Sequence, residues 1–228
     1  MCYHKIKIHN ESENTHGLTT PVRHHIAPAT TGWRTMILHL IRHGQTIATQ
    51  THCYCGKTDL PITPENLEQL AAYAAAGAYP ALHGCAIYTT PLLRTQQTLQ
   101  AIYGAVAFDI LPDFQEVDFG IFELGHYDQL QHNNDYQAWI GGDFFHNIPP
   151  TGESFAQFHC RVLSQLEGLL AQNTDALVVA HGGTISAIMS HLFPHENKSH
   201  YQWAPKPCEG YSVTLGRPNT YNKITVNQ

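Results

Sequence analysis

Two short segments of the sequence place a histidine directly after an apolar run. The run "MILHLI" is followed by Arg42, His43 and Gly44, and the run "DALVVA" is followed by His181 and Gly182. An arginine can donate two parallel hydrogen bonds to two phosphate oxygens. A glycine turn before a helix offers free backbone N–H groups to the same anion, and a neutral imidazole can attack phosphorus. Polar residues at a solvent-facing turn would explain either segment alone. The two segments together indicate phosphoryl-transfer chemistry.

Phosphoryl transfer to water also needs a group that protonates the departing oxygen. The segment "DFQEVDFGIFEL" contains four carboxylic acids: Asp113, Glu116, Asp118 and Glu123. A useful acid must stay protonated until the leaving group departs, so its pKa must be raised, and the phenylalanines of this segment could form the apolar surroundings that raise it. A solvated acidic loop is the simpler explanation for any one of the four. Spacing alone does not choose between Glu116 and Asp118.

The segments that carry these residues alternate between strands and helices. Strand-like segments are "MILHLI", "CAIYTT", "VAFDILP" and "DALVVA", with "YSVTLG" and "KITVNQ" as a closing strand pair. Helix-like segments are "TPENLEQLAAYAAAG", "PLLRTQQTLQAIYG", "GESFAQFHCRVLSQLEGLLAQN" and "TISAIMSHLF". Strands separated by helices predict an α/β fold, here a three-layer α/β/α sandwich around a mostly parallel sheet.

In such sheets, ligands bind at the carboxyl ends of the strands. Both His43 and His181 follow a strand, and Arg94 follows another one, in the first turn of a helix that we expect to open at the "TP" of "CAIYTTP". We therefore expect Arg42, His43, Arg94 and His181 to meet at one rim of the sheet, around a single tetrahedral anion.

Residues 1–35 differ from the remainder of the chain. They are polar, rich in histidine and without periodicity, so we predict a disordered leader there and one folded domain over residues 36–228. Met36 stands directly before the first strand.

The composition limits the partners that we expect. A formal net charge of -6 argues against nucleic-acid binding, which would need a basic stripe. No apolar run is long enough to span a bilayer, and the N-terminus lacks the apolar centre of a secretory signal, so no membrane partner is predicted. The 6 cysteines show no C-x-x-C spacing, which indicates reduced thiols in a cytoplasmic protein and no metal site. We expect a small phosphate monoester as ligand and no cofactor, and we leave open whether the chain forms a homodimer.

Six segments of the chain resemble the histidine phosphatase superfamily, the phosphoglycerate-mutase-like group. They are "LIRHGQT", "GKTDLPIT", "TTPLLRTQQT", "EVDFGIFEL", "PPTGES" and "VVAHGGTI", in the order that the family has them, over roughly residues 36 to 190. The set as a whole is highly specific. The resemblance implies the phosphoglycerate-mutase-like fold and hydrolysis through a phosphohistidine intermediate.

The resemblance also implies a role for each residue of the site. His43 would be the phosphorylated nucleophile. Arg42, Arg94 and His181 would hold the phosphoryl oxygens. Glu116 would protonate the leaving oxygen and then activate the water that hydrolyses phosphohistidine, because the family places its acid before "DFG" and an aromatic-glutamate pair.

Two positions depart from the family pattern. Thr49 stands where asparagine often touches the phosphate, and a threonine hydroxyl can donate one hydrogen bond there. We therefore expect phosphate binding to survive this change, with Thr49 as a weaker ligand. Gln45 stands where glutamate is frequent, and we interpret this as a tolerable change behind the site.

Transfer to water and transfer between two positions of a substrate use the same catalytic set. Cofactor-dependent phosphoglycerate mutases resemble one another in extra basic residues that hold a bisphosphate, whereas the segment between Glu116 and Gly152 contains no lysine or arginine. We therefore predict a phosphatase, with a cofactor-dependent phosphoglycerate mutase as the first alternative. The second alternative is a non-catalytic member that binds phosphorylated ligands, although such members usually lose the nucleophile or the acid.

The same segment is rich in aromatic residues: Phe119, Phe122, Tyr127, Tyr136, Trp139, Phe144 and Phe145. Core packing is the simpler explanation for any one of them, but together they could form a lid over the phosphate, suited to a flat leaving group such as a nucleoside. Within the superfamily, "FGIFEL", "DYQAWI" and "PPTGES" look most like the alpha-ribazole phosphatase group, which acts in assembling the cobalamin nucleotide loop. The resemblance thus suggests alpha-ribazole 5'-phosphate as a substrate.

Overall fold

A six-stranded sheet forms the centre of the fold. The computed structural model describes residues 35–226, so the predicted leader lies outside the described residues except for Thr35. The strands are β1 (Met36–Arg42), β2 (Ala86–Thr89), β3 (Asp109–Ile110), β4 (Ala176–Ala180), β5 (Gly210–Leu215) and β6 (Thr220–Ile224). Their order across the sheet is β3-β2-β4-β1-β5-β6. Strands β1 to β4 pair in parallel, whereas β5 pairs antiparallel with both β1 and β6.

Helices cover both faces of this sheet. They are α1 (Ile47–Gln50), α2 (Pro64–Ala75), α3 (Leu93–Tyr103), α4 (Tyr127–Leu130), α5 (Asn134–Ile140), α6 (Phe155–Ala171), α7 (Gly182–Leu192) and α8 (His200–Trp203). Single turns of 3-10 helix span Pro112–Phe114, Gly120–Phe122 and Pro194–Glu196.

Strand β4 shows why the sheet needs helices on both sides. Ala176 and Val178 pack into a hydrophobic core with residues of α6 and α7, whereas Leu177 and Val179 pack into a second core with residues of α2 and α3. Successive side chains of a strand point to opposite faces, so a central strand covered on both faces is apolar throughout. The predicted three-layer α/β/α sandwich with a mostly parallel sheet is confirmed.

Local sequence signals explain where most helices begin. Ser154 and Gln157 form a capping box at the start of α6, and Thr63 precedes the first-turn Pro64 of α2. The predicted start of α3 is wrong by two residues, because the helix begins at Leu93, beyond the "TP" pair. The hydroxyl of Thr90 hydrogen-bonds to the Thr95 hydroxyl and to a histidine ring rather than capping the helix.

The third predicted strand is much shorter than expected. Of the segment "VAFDILP", only Asp109 and Ile110 pair with the sheet, and both are exposed at its edge. An edge strand has one neighbour, so fewer pairing bonds hold it in place. The remainder of the segment leads directly to the acidic loop.

Four of the seven rings of the aromatic-rich segment form part of the core, so these four do not belong to the predicted lid. Phe119, Phe122, Tyr136 and Trp139 are each at most 2% exposed. Phe119, Tyr136 and Trp139 pack around Tyr54, whose hydroxyl hydrogen-bonds to that of Tyr136 at 2.7 Å. Phe122 packs on Tyr136 and Trp139. Large aromatic rings bury much apolar surface when they pack together, which stabilises the fold. These rings contact one another in edge-to-face, tilted and stacked arrangements.

The described residues also bear on the expected partners. The cysteines of this part of the chain are free thiols: Cys53, Cys55, Cys85, Cys160 and Cys208. Over residues 35–226, no helix has the length and apolar character needed to cross a bilayer. Within the same range, no group of three or more His, Cys, Asp and Glu side chains is arranged to hold a metal ion.

Candidate active site

The register of the central strands brings two histidine rings together. Arg42 pairs with Ala180 across the parallel strands β1 and β4, and the next amide, that of His43, donates to the Ala180 carbonyl at 2.9 Å. His43 and His181, which follow these strands, therefore leave the sheet side by side. Their ring centroids lie 5.2 Å apart in an edge-to-face arrangement.

His43 is held in one tautomer by its own turn. Its Nδ1 lies 2.7 Å from the Gly44 carbonyl oxygen, which can only accept, so Nδ1 carries the proton. The pKa of His43 lies well below 6.5, first because the ring is buried and then because the charges of Arg94 and Arg42 oppose a second proton. A neutral ring with its proton on Nδ1 leaves the lone pair of Nε2 available.

Gly44 is required by a close approach of another segment. A Cβ atom at this position would lie 2.3 Å from the side-chain oxygen of Asn66. That oxygen accepts from the backbone N–H of Gln45, and the N–H of Gly44 itself donates to the Thr98 hydroxyl. The glycine after His43 therefore allows α2 and α3 to anchor the turn that carries the histidine.

His181 is a buried imidazole with one nitrogen in use. Its Nε2 lies 3.0 Å from the Thr90 hydroxyl at the end of β2, whereas its buried Nδ1 has no hydrogen-bond partner among the described residues. Burial, together with the nearby arginines and His43, holds the pKa of this ring well below 6.5. A buried polar atom without a partner is costly unless a ligand supplies one, so Nδ1 is a ready contact for an anion.

Arg94 is fully buried, and its guanidinium is held by hydrogen bonds to the loop at residues 56–58. Its two terminal nitrogens donate to the carbonyls of Thr58 at 2.8 Å and Gly56 at 2.6 Å. The Nε atom is buried and has no partner within the described part of the chain. The guanidinium is therefore fixed in place while retaining a donor.

One carboxylate organises the loop that grips Arg94. Glu123 accepts hydrogen bonds from the amides of Gly56, Lys57 and Thr58, from the Thr58 hydroxyl, and from the amide of Phe119. From the sequence, Glu123 was one of four candidate acids and part of the aromatic-glutamate pair that follows Glu116 in the family. Its own function was missed, because the amides of the loop that it binds lie more than 60 positions earlier in the chain.

Two consecutive glycines at the start of α7 make room for two charged side chains. A Cβ at Gly182 would lie 3.1 Å from the guanidinium carbon of Arg42, and a Cβ at Gly183 would lie 2.3 Å from Oε1 of Glu116. Arg42 also donates to the Pro205 carbonyl at 2.8 Å. The amide of Gly182 lies in the first turn of α7, where amides have no acceptor within the helix.

Glu116 reaches the same helix start. Its carboxylate accepts from the amides of Gly183 at 2.8 Å and Val117 at 3.1 Å, and the side chain is buried. Burial raises the pKa of Glu116, although these two amides and the two arginines act in the opposite direction. Asp118, the alternative acid, instead accepts from the Gly120 amide and pairs with Lys57 at 3.4 Å.

Thr49 does not offer its hydroxyl proton to the site. The hydroxyl donates to the Thr46 carbonyl at 2.7 Å and accepts from the Thr46 amide, as part of the capping box of α1. A hydroxyl has one proton to donate. In this arrangement the hydroxyl proton of Thr49 is already in use, and Thr49 as a phosphate ligand stays a prediction from the resemblance.

Comparison with known proteins places this site in context. A family model described as histidine phosphatase superfamily (branch 1) matches residues 38–223. The chain is 31% identical over 178 residues to the adenosylcobalamin/alpha-ribazole phosphatase of Escherichia coli (strain K12), an alignment that covers 73% of this chain and 85% of that protein.

Solved structures give the same result for the fold. The alpha-ribazole phosphatase from Shigella flexneri superposes with a TM-score of 0.72 at 26% identity, covering 82% of this chain and 95% of that one. A phosphoglycerate mutase from Thermus thermophilus superposes with a TM-score of 0.64 at 27% identity, covering 84% of this chain and 100% of that one. Phosphatases and mutases are therefore both among the proteins that this chain is similar to.

Proposed function

The chain belongs to branch 1 of the histidine phosphatase superfamily and is a phosphatase, and from this premise we propose that His43 carries the phosphoryl group between a phosphate monoester and water. The proposal rests on one observation: the buried, neutral rings of His43 and His181 have their centroids 5.2 Å apart. The positive charges of Arg42 and Arg94 contribute to lowering the pKa of both rings. A neutral imidazole is the nucleophilic form, and two guanidinium groups offset the charge of a phosphoryl group.

In the first step, the Nε2 lone pair of His43 attacks phosphorus and the bond from phosphorus to the leaving oxygen breaks. Glu116 gives its carboxylic proton to that oxygen, so a neutral alcohol departs. In the second step, the Glu116 carboxylate takes a proton from water, whose oxygen attacks phosphorus while the bond to Nε2 breaks. Inorganic phosphate leaves, and both residues return to their starting protonation states.

The phosphoryl oxygens are held by donors that the fold has already fixed. Arg94 offers its buried Nε, and Arg42 lies against the first turn of α7. When the Thr90 hydroxyl donates to Nε2 of His181, the ring is neutral with its proton on Nδ1, the nitrogen that has no partner among the described residues. His181 then donates to the phosphoryl group from Nδ1, with the Gly182 amide beside it. Donors held in place before the reaction stabilise the transition state at little reorganisation cost.

For the substrate, we propose alpha-ribazole 5'-phosphate. Support comes from the relatives named adenosylcobalamin/alpha-ribazole phosphatase and from the solved alpha-ribazole phosphatase of the same fold. The buried aromatic cluster adds no support, because its rings pack against one another in the core.

A cofactor-dependent phosphoglycerate mutase is the alternative with the same catalytic set. Such an enzyme must hold a molecule that carries two phosphates, which needs cations beyond those on the first phosphoryl group. The segment between Glu116 and Gly152 contains none, which favours the phosphatase.

The test of the mechanism is hydrolysis of p-nitrophenyl phosphate by the full chain and by His43→Ala. We expect the variant to lose at least about 1,000-fold in kcat, because the covalent route is removed. The exposed His132→Ala is the matched control and should retain the activity of the wild type. Base-quenched samples labelled with 32P should carry label on the wild-type protein and none on His43→Ala.

Two results would count against this mechanism: unchanged turnover in His43→Ala, or label that persists in it. The substrate is tested separately by comparing kcat/KM for alpha-ribazole 5'-phosphate with that for nucleoside monophosphates. A preference for the nucleoside monophosphates would remove alpha-ribazole 5'-phosphate from the proposal and leave the mechanism intact.

A further inference from the structure

Arg161, on α6, is hydrogen-bonded to the backbone of the segment that carries Glu116. One terminal nitrogen donates to the carbonyls of Asp113 at 2.7 Å and Gln115 at 2.9 Å, and the other donates to the carbonyl of Glu116 itself at 3.0 Å. The remaining N–H groups donate to the Glu153 carboxylate. A guanidinium has five N–H groups, so each of them has an acceptor. Arg161 therefore holds this segment by three carbonyls and has no donor left for a ligand.

Glu153 holds the chain on the other side of Glu116. Its carboxylate accepts from the Asp118 amide at 3.0 Å, and its own amide donates to the Asp118 carbonyl at 3.0 Å. Glu153 belongs to "PPTGES", one of the six segments of the family resemblance, and no step of the proposed mechanism uses this segment. The ion pair of Arg161 and Glu153 thus binds backbone groups both before and after Glu116.

Helix α7 makes a further connection to the same segment. The hydroxyl of Thr184 donates to the carbonyls of Phe114 at 3.0 Å and Gln115 at 3.2 Å. The preceding residue, Gly183, donates its amide to the Glu116 carboxylate at 2.8 Å. Because α7 begins directly after His181, these contacts set the position of the acid relative to a proposed phosphate ligand.

We propose that Arg161 and Glu153 are positioning residues that hold the Glu116 carboxyl where it protonates the leaving oxygen. The inference rests on the proposed function, since it takes Glu116 as the acid. Proton transfer needs the carboxyl oxygen within hydrogen-bond reach of the leaving oxygen, about 2.6–3.2 Å. A displacement of about 1 Å can cost about 100-fold in rate, and backbone hydrogen bonds on both sides of Glu116 prevent it.

The ion pair also provides these hydrogen bonds without placing a net charge beside the acid. An unpaired guanidinium would favour the carboxylate and lower the pKa of Glu116, as the charges of Arg42 and Arg94 already do. The carboxylate of Glu153 largely cancels the charge of Arg161, so the pKa of Glu116 stays raised by burial. The tested variants keep the other titratable groups of this region, which are Cys55, Lys57, Asp113, Asp118 and His181.

Arg161→Lys tests the positioning. Lysine keeps the charge, but its single nitrogen cannot hold three carbonyls and a carboxylate in the geometry of the guanidinium. We expect kcat to decrease by about 10-fold to 100-fold for glycerol 3-phosphate and by less than about threefold for p-nitrophenyl phosphate, because p-nitrophenolate departs with little protonation. The ratio of the two values does not depend on the fraction of folded protein. Arg217→Lys, at an exposed arginine between β5 and β6, is the matched control and should keep the wild-type ratio.

Glu153→Gln tests the balance of charge. Glutamine keeps an oxygen that can accept from the Asp118 amide, but it leaves the charge of Arg161 unpaired. That charge favours the Glu116 carboxylate, so the alkaline decrease in kcat/KM for glycerol 3-phosphate should move to lower pH by about half a unit or more. A purely structural role would lower the activity without moving this decrease. The exposed Glu167→Gln, also on α6, is the control and should keep the wild-type pH profile.

Glu116→Gln separates this inference from the function on which it rests. If Glu116→Gln slows glycerol 3-phosphate far more than p-nitrophenyl phosphate, while Arg161→Lys keeps the wild-type ratio, the acid stands and its positioning by Arg161 is wrong. An unmoved alkaline decrease in Glu153→Gln would overturn the balance of charge. If the wild type does not hydrolyse p-nitrophenyl phosphate at all, the proposed function itself is overturned.

Discussion

Two residues of the site have pKa values shifted in opposite directions, and both shifts serve the same reaction. Burial and the neighbouring guanidinium charges lower the pKa of His43, so its ring is neutral well below pH 6.5. Burial raises the pKa of Glu116 above its usual 4.5, so its carboxyl keeps a proton at a higher pH than usual. Lowering the pKa of the base and raising that of the acid both widen the pH range in which a free base and a protonated acid coexist, as the proposed nucleophile and proton donor must.

Glu116→Gln should slow esters of weakly acidic alcohols far more than p-nitrophenyl phosphate. Glycerol 3-phosphate needs its leaving oxygen protonated, so we expect about 100-fold to 10,000-fold loss of kcat, whereas p-nitrophenolate departs with little help. In the wild type, kcat/KM should decrease on the alkaline side as Glu116 loses its proton, and this decrease should be absent from the variant. The measurement is kcat/KM for both substrates from about pH 5 to about pH 8.

Equal slowing of the two substrates by Glu116→Gln would point to another acid. Asp118→Asn is the comparison that decides this point, because Asp118 is the acid that spacing alone could not exclude. It should retain the alkaline decrease in kcat/KM.

At the scale of elements, the site is assembled by short segments that lock one another. The loop at residues 56–58 gives its carbonyls to Arg94 and its amides to Glu123. Gly56 is necessary in this loop because a Cβ there would lie 1.6 Å from the Val117 carbonyl oxygen. The loop therefore links Arg94, the proposed phosphate ligand, to the segment that carries Glu116, the proposed proton donor.

Glu123→Gln should weaken phosphate binding, although residue 123 itself does not contact the phosphate in the proposed mechanism. A glutamine side chain has only one accepting oxygen, and its NH2 group would point at the backbone N–H groups that the second carboxylate oxygen now accepts from. Several amides of the loop therefore lose their hydrogen-bond acceptor. The loop then no longer holds Arg94 in place. We expect inhibition by inorganic phosphate to weaken by about tenfold or more, and kcat/KM to decrease with it. The measurement is the inhibition constant of phosphate, with the thermal midpoint recorded to show that the variant is folded.

The exposed Glu167→Gln, on α6, is the control for the loss of one carboxylate and should behave as the wild type. Glu123→Asp keeps the charge and should restore part of the phosphate affinity. A folded Glu123→Gln protein with wild-type phosphate inhibition would show that the loop does not position Arg94.

At the scale of the whole molecule, the fold keeps several histidines neutral by enclosing them. Within residues 35–226, burial is the first cause of a lowered pKa at five histidines: His39, His43, His159, His181 and His200, the last to about 4. In the unfolded chain these histidines bind a proton near pH 6.5. In the folded chain they bind it only at a lower pH. Glu116 acts in the opposite direction, since its raised pKa lets the folded chain bind a proton more readily.

The free energy of unfolding should therefore decrease as the pH falls below about 6.5, where the unfolded state binds more protons than the folded one. Each histidine that stays neutral contributes a slope of up to about 1.4 kcal/mol per pH unit, and the single glutamate offsets only part of this. Urea denaturation at about pH 7.5, 6.5 and 5.5 measures the effect. His200→Gln should reduce the slope and the exposed His132→Gln should not; a stability that is constant over this range would contradict the prediction.

The sequence by itself determined the type of fold and the residues that meet. Alternating apolar strands and helices require a parallel sheet covered on both faces, and the carboxyl ends of such strands share one edge. Arg42 at the end of one such strand, and His43 and His181 directly after two of them, are therefore expected at the same edge of the sheet. The family resemblance carried by the six segments is confirmed by the family match.

Only the tertiary structure decided the surroundings of each side chain. The contact of Glu116 with the Gly183 amide joins positions 67 residues apart, and the Arg94 contact with Gly56 joins positions 38 apart. Four rings of the aromatic segment join the core for the same reason, because Tyr54, which contacts Phe119 and Trp139, comes from a distant loop. Burial and charge come from whichever segments the fold brings close, and local patterns of residues do not contain that information.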